Sequence, residues 1–106
     1  MAIRAHETKA VAGSVVSPAT TLAVLQNYGS DMVLMTSTAD IRFTVDGITT
    51  PVITASSEVG TLLGPTGSLQ AIILTPEEFV NLKMLDVSAD ARVQFEFLSG
   101  DRHRIS

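Results

Sequence analysis

His6 and His103 are the only imidazoles in the chain, one near each end. Together they would make half a metal site if the ends met. No H-x-x-x-H spacing accompanies either, so the sequence predicts no metal. Asp86 and Asp90 flank "VSA" and have the look of a calcium pair. They do not meet the spacing of an EF-hand loop, and the strand-like runs on either side make them acids of a solvated turn. Glu77 and Glu78 are neighbours, and neighbours on a helix point in different directions, so they are no acid–base couple. Glu78 instead stands three residues after Thr75, the spacing of a capping box. Gly60, Gly64 and Gly67 invite a phosphate-loop reading. It fails because no Lys-Ser or Lys-Thr follows them and the third glycine opens a strand. The G-x-S-x-G elbow of a serine hydrolase is absent. With no cysteine there is no thiolate nucleophile, no disulfide and no cysteine-held zinc or iron–sulfur site. The residues thus predict neither an enzyme nor a cofactor.

The elements that surround these residues are more legible than the chemistry. The 106 residues are 45% apolar, which suits one folded domain with one core. Aromatics are Phe43, Phe79, Phe95, Phe97 and Tyr28, so that core must be mainly aliphatic, with Met32, Met35 and Met84 filling gaps. "MAIRAHETKAV" shows no sustained period and reads as an arm or an edge strand. Residues 11–26 are rich in Val, Thr and small side chains, and Pro18 splits them, since proline cannot donate to a sheet ladder. "NYGSD" is a turn by composition, and "MVLMTS" a buried strand. In "IRFTV", Ile41, Phe43 and Val45 share one face and Arg42 and Thr44 the other. Asp46-Gly47 is the best hairpin signal in the chain, with Pro51 limiting the returning arm.

Residues 49–68 carry five Gly or Pro and read as a long connection ending in a tight turn at Gly64–Gly67. Connections of that length in a small domain are commonly functional or partner-facing. "LQAIIL" reads as a further buried strand. "TPEEF" opens one short helix near 76–81, with Thr75 as cap and Pro76 in the first helical position. "LKMLDV" and "ARVQFEFL" follow as strands, the last with Ala91, Val93, Phe95 and Phe97 inward. Short strands about 10 residues apart predict an all-β chain. The expected fold is a single antiparallel β-sandwich or jelly-roll-like domain over 11–98, with an arm at 1–10 and a tail at 99–106.

Charge narrows the partners. The formal net charge is −4, which disfavours nucleic acid, a ligand that wants a basic stripe. Residues 31–90 hold eight acidic side chains against Arg42 and Lys83, whereas the first nine and the last sixteen residues are each +1. Mildly basic ends on an acidic body are first of all a solvated surface with ordinary termini, and secondly suit docking on an acidic neighbour, such as another copy of the chain. The longest apolar runs, among them Met32–Met35 and Ala71–Leu74, are four residues, against the roughly 20 that a membrane span needs. No signal-peptide core is evident, so the sequence predicts a soluble chain. A sugar-binding module usually shows Trp or Tyr platforms, and here there is no Trp and one Tyr.

The order of parts from Leu25 to Leu98 resembles the small β-sandwich virion accessory proteins of tailed bacteriophages. The matching segments are "MVLMTSTADIRFTVDG", "TTPVITASSEVGTLLGPTGSL", "PEEFVNLKML" and "ADARVQFEF". They cover about two-thirds of the chain, are strand and turn patterns, and leave out residues 1–24 and the "DRHRIS" tail. The resemblance implies no catalytic residues and no small-molecule substrate. It implies a capsid decoration or cement protein on the virion, made in the host cytoplasm. Such a protein would act as a homo-oligomer, for example a trimer, that binds the major capsid protein or another virion protein. The alternatives are a head–tail connector, a tail- or fibre-associated protein, or a non-viral β-sandwich binding module. On this reading the contacts come from Ile3, Arg4, His6 and Lys9 in the arm and from Val52, Ile53, Leu62 and Leu63 in the long loop.

Overall fold

A computed structural model describes residues 2–54, 56–67 and 69–99. Its strands are β1 (Ala2–Val11), β2 (Met32–Ser37), β3 (Ile41–Thr44), β4 (Val52–Ile53), β5 (Glu58–Val59), β6 (Thr61–Leu63), β7 (Ala71–Leu74), β8 (Lys83–Asp86) and β9 (Ala91–Ser99). Two short helices join them, α1 (Leu22–Tyr28) and α2 (Pro76–Val80). One sheet runs β1-β9-β2-β7, a second β6-β3-β8, and β4 with β5 forms a small ribbon. Every pairing is antiparallel. The fold is all-β and sandwich-like, as expected from the spacing of the strands.

β9 organises the first sheet. It pairs along its whole length with β1, and from Val93 to Leu98 with β2. Ala91, Val93, Phe95 and Phe97 are buried while Arg92 and Gln94 are exposed, because successive side chains of a strand alternate between faces. Val33, Met35 and Leu74 extend the same buried face, and Ile41, Phe43, Leu63 and Met84 of the second sheet meet it. α2 adds Phe79, whose ring stands edge-on to Phe95 at 5.0 Å and to Phe97 at 5.4 Å. Such aromatic pairs contribute roughly 0.5–1.5 kcal/mol beyond the area they bury.

The capping box forms as read from "TPEE". The Thr75 hydroxyl accepts the Glu78 N–H at 3.2 Å, and the Glu78 carboxylate accepts the Thr75 N–H at 2.9 Å.

Four local expectations need correction. The Val- and Thr-rich run 11–26 contributes no full strand beyond Val11. Its second half enters α1, which Thr21 caps by accepting the Val24 N–H at 3.3 Å and which ends at Gly29 with φ 72°. Leu25 is buried, and Tyr28 stacks on Phe97 at 6.0 Å, so tertiary packing outweighs the β preference of the composition. Secondly, Asp46-Gly47 does not close a hairpin. β3 pairs with β6 and β8, and the Asp46 carboxylate accepts the N–H groups of Ile48 and Thr49, which sends the chain outward into a loop. Thirdly, the 49–68 connection is more regular than expected, since it contains β4, β5 and β6. Finally, β7 is a sheet edge and not a buried strand: Leu74 faces the core while Ala71 and Ile73 face out.

Candidate interaction surface

Residues 2–11, read as an arm or an edge strand, form β1 at the edge of the first sheet. The pairing with β9 shifts between Ile3 and Ala5, leaving Arg4 as the extra residue. Arg4 donates from Nη2 to the Ser99 hydroxyl at 3.4 Å. Ile3 is 63% exposed, Arg4 and His6 are also exposed, and Lys9 is half-buried. Four of the expected contact residues therefore share one strand.

The other four do not join them. Val52 and Ile53 are half-buried in β4, opposite Val59 and Glu58 of β5. Leu62 and Leu63 lie in β6 of the second sheet, on opposite faces. Leu63 is 0% exposed, pairs with Ile41 and belongs to the core, so it is withdrawn as a contact residue. Alternation decides this: a strand with one buried face turns one of any two adjacent leucines inward.

The segment between β1 and α1 is tied down by Glu7. Its carboxylate accepts the Ala19 N–H at 2.8 Å, the Thr20 N–H at 3.1 Å and the Thr20 hydroxyl at 2.6 Å. Further along, Val16 bridges to Met84 of β8, and the Gly13 N–H reaches the Asp86 carboxylate at 2.7 Å. Asp86 is thus occupied in fixing a turn, while Asp90 is exposed. Among the described residues no group of three His, Asp or Glu side chains could hold a metal. His6 faces outward on β1, and His103 lies outside the described residues.

The glycine run is a turn built around Asp40. The Gly67 N–H bonds the Gly64 carbonyl at 3.3 Å, and Asp40 accepts both the N–H and the hydroxyl of Thr66. A Cβ on Gly64 would fall 2.6 Å from the Asp40 Cα, which explains why glycine stands there.

An open groove of about 370 Å³ lies beside the second sheet, with Phe43, Val45 and Val59 as its apolar lining and Thr44, Thr49 and Asp46 as polar members. The Thr49 hydroxyl, then the N–H groups of Ile48 and Thr49, hold the Asp46 carboxyl down at about 2. Those bonds are internal to the loop, so the acid shapes the groove's rim and is not poised for proton transfer. Arg42 ties the ribbon to β3 by donating to the Glu58 carboxylate at 2.9 Å and to the Gly60 carbonyl at 3.1 Å.

Sequence reasoning missed the outward face of the first sheet. Ile73 of β7, 53% exposed, sits in register with Leu34 of β2, while Met32 of β2 and Ile3 of β1 both pair with Leu98 of β9. The only available signal was the uncharged run around "AIIL", which also fits a buried strand. Compared with protein-family models, curated proteins and solved structures, the chain matches none.

Proposed function

We propose that this chain is a structural protein of a tailed-bacteriophage virion, a decoration or cement protein that binds the assembled shell as a symmetric oligomer. The observation that carries the reading is the edge strand β1, which presents Ile3, Arg4 and His6 outward while its other side is held by β9. A neighbouring shell subunit could dock against these outward side chains, with Ile3, Arg4 and His6 supplying the contacts. Many symmetric copies would then hold firmly even where each contact is weak. The sandwich-like fold and the order of strands and turns described above support the same reading.

The test is quantitative mass spectrometry of purified particles from the native source. A copy number close to that of the major shell protein supports a lattice-bound cement. A few copies per particle would move the protein to the neck, tail or fibres, and its absence would remove the virion role. Deleting residues 1–9 is not a clean test of attachment, because β1 is built into the sheet and Val11 into the core. Ile3→Asp with His6→Asp is the better variant, since both side chains face out; weaker attachment with unchanged folding is the expected result.

A further inference from the structure

The two sheets have four lateral edges, made by β1, β7, β6 and β8. An open edge is a row of unpaired N–H and C=O groups, and natural proteins blunt it with charges, bulges, short strands or covering segments. Three of these edges are blunted. β1 carries the irregularity at Arg4 and turns Glu7 and Lys9 toward the inner side. β8 is covered at Met84 by Val16, through hydrogen bonds of 3.0 and 2.9 Å. β6 has three residues and is flanked by Gly60 and Gly64, both at positive φ.

β7, though only four residues long, has no charge, no register shift and no bridge from a covering segment among the described residues. Its register with β2 is unbroken, and β2 is its one strand neighbour among the described residues. No charged residue occurs from Val59 to Pro76, although the chain carries −4 overall. Two copies of an acidic protein repel each other where their acids face, and this stretch, like residues 10–30, sets no like charges against one another.

We propose that β7 is the seam along which two copies of this chain join, antiparallel about a two-fold axis perpendicular to the sheet. The two four-stranded sheets would fuse into one continuous sheet. Such an axis keeps both outward faces on the same side and brings the two Ile73 side chains together, each backed by Leu34. The Leu34–Ile73 pair of each copy then meets its counterpart, with Glu96 at the far side of each Leu34. This inference rests on the symmetric-oligomer part of the proposed function and not on its virion part.

The test is light scattering on the purified chain over a range of concentrations, for the wild type, Ile73→Lys and Ile48→Lys. The wild type and Ile48→Lys should rise to twice the 11.2 kDa chain mass, and Ile73→Lys should stay at one. Amide exchange on the wild type supplies a readout that needs no variant: protection of Ala71–Leu74 should increase with concentration. A wild type that stays monomeric, or a dimer that survives Ile73→Lys with β7 exchange unchanged, overturns the seam. Neither result touches the virion role, which the particle measurement decides separately.

Discussion

Glu7 of β1 and Thr20, thirteen residues later, are joined by a hydrogen bond of 2.6 Å between carboxylate and hydroxyl. With the Ala19 and Thr20 N–H groups on the same carboxylate, one side chain fixes the path from the first strand to the first helix. Glu7→Ala should destabilise the fold by about 1–3 kcal/mol, the usual range for hydrogen bonds to a charged group in a partly buried place. Glu7→Gln, which keeps one acceptor, should cost less. Urea denaturation of both variants checks the order.

Gly64 is pressed against Asp40, whereas Gly13 meets nothing within 4 Å of a hypothetical Cβ. Both have positive φ, 155° and 79°. Gly13→Ala should therefore cost only backbone strain, about 1 kcal/mol, and Gly64→Ala distinctly more, on the order of 3 kcal/mol, because backbone must move as well. Thermal unfolding of the pair separates strain from collision.

Asp46 titrates at about 2 in the folded chain against an ordinary 3.8. A depressed carboxyl favours the fold when ionised. Its contribution is thus complete above 3.8 and is lost as the pH falls through 2. Carbon-detected NMR titration should place the midpoint there, and Thr49→Val, which removes the largest cause, should raise it toward the ordinary value. An unchanged midpoint in Thr49→Val would mean that the backbone N–H groups alone set the shift.

Phe79 should behave as a core residue, although it belongs to a helix of only five residues. Its contacts with Phe95 and Phe97 make Phe79→Ala cost about 3–5 kcal/mol. Ile48, 84% exposed on the Asp46 loop, is the contrasting site. Ile48→Thr should change stability by less than about 0.5 kcal/mol. Chemical denaturation of the two variants gives the comparison.

What could be read from the sequence follows from the range of the forces involved. β9 was legible because one face is buried and the other wet along most of its length, which writes a period of two into "ARVQFEF". α2 was legible because its cap is local, with Thr75 and Glu78 three residues apart. α1 was missed since seven residues give too little period to outweigh a Val- and Thr-rich composition. The failed hairpin at Asp46-Gly47 has a similar origin: the carboxylate organises the residues that follow it, and the partners of β3 are distant in the chain. The contact surface was half legible. The exposure of Arg4 and His6 on β1 could be anticipated from their polarity, that of Ile3 could not. The opposite orientations of Leu62 and Leu63, and the exposure of Ile73, depend on which strand lies beside which, and that no local window reports.

One consequence of the β1–β9 pairing concerns the order of events during synthesis. β9 is the strand that β1 and β2 both need, and it leaves the ribosome after every other element described here. Until then β1 has no partner and the inner faces of β2 and β7 have no Phe95 or Phe97 to pack on. Pairing Ala2 with Ser99 closes a loop spanning nearly the whole chain, the kind of long-range contact that slows folding. Before β9 emerges only β2 and β7 of the first sheet can pair, so the nascent chain carries exposed strands in need of shielding.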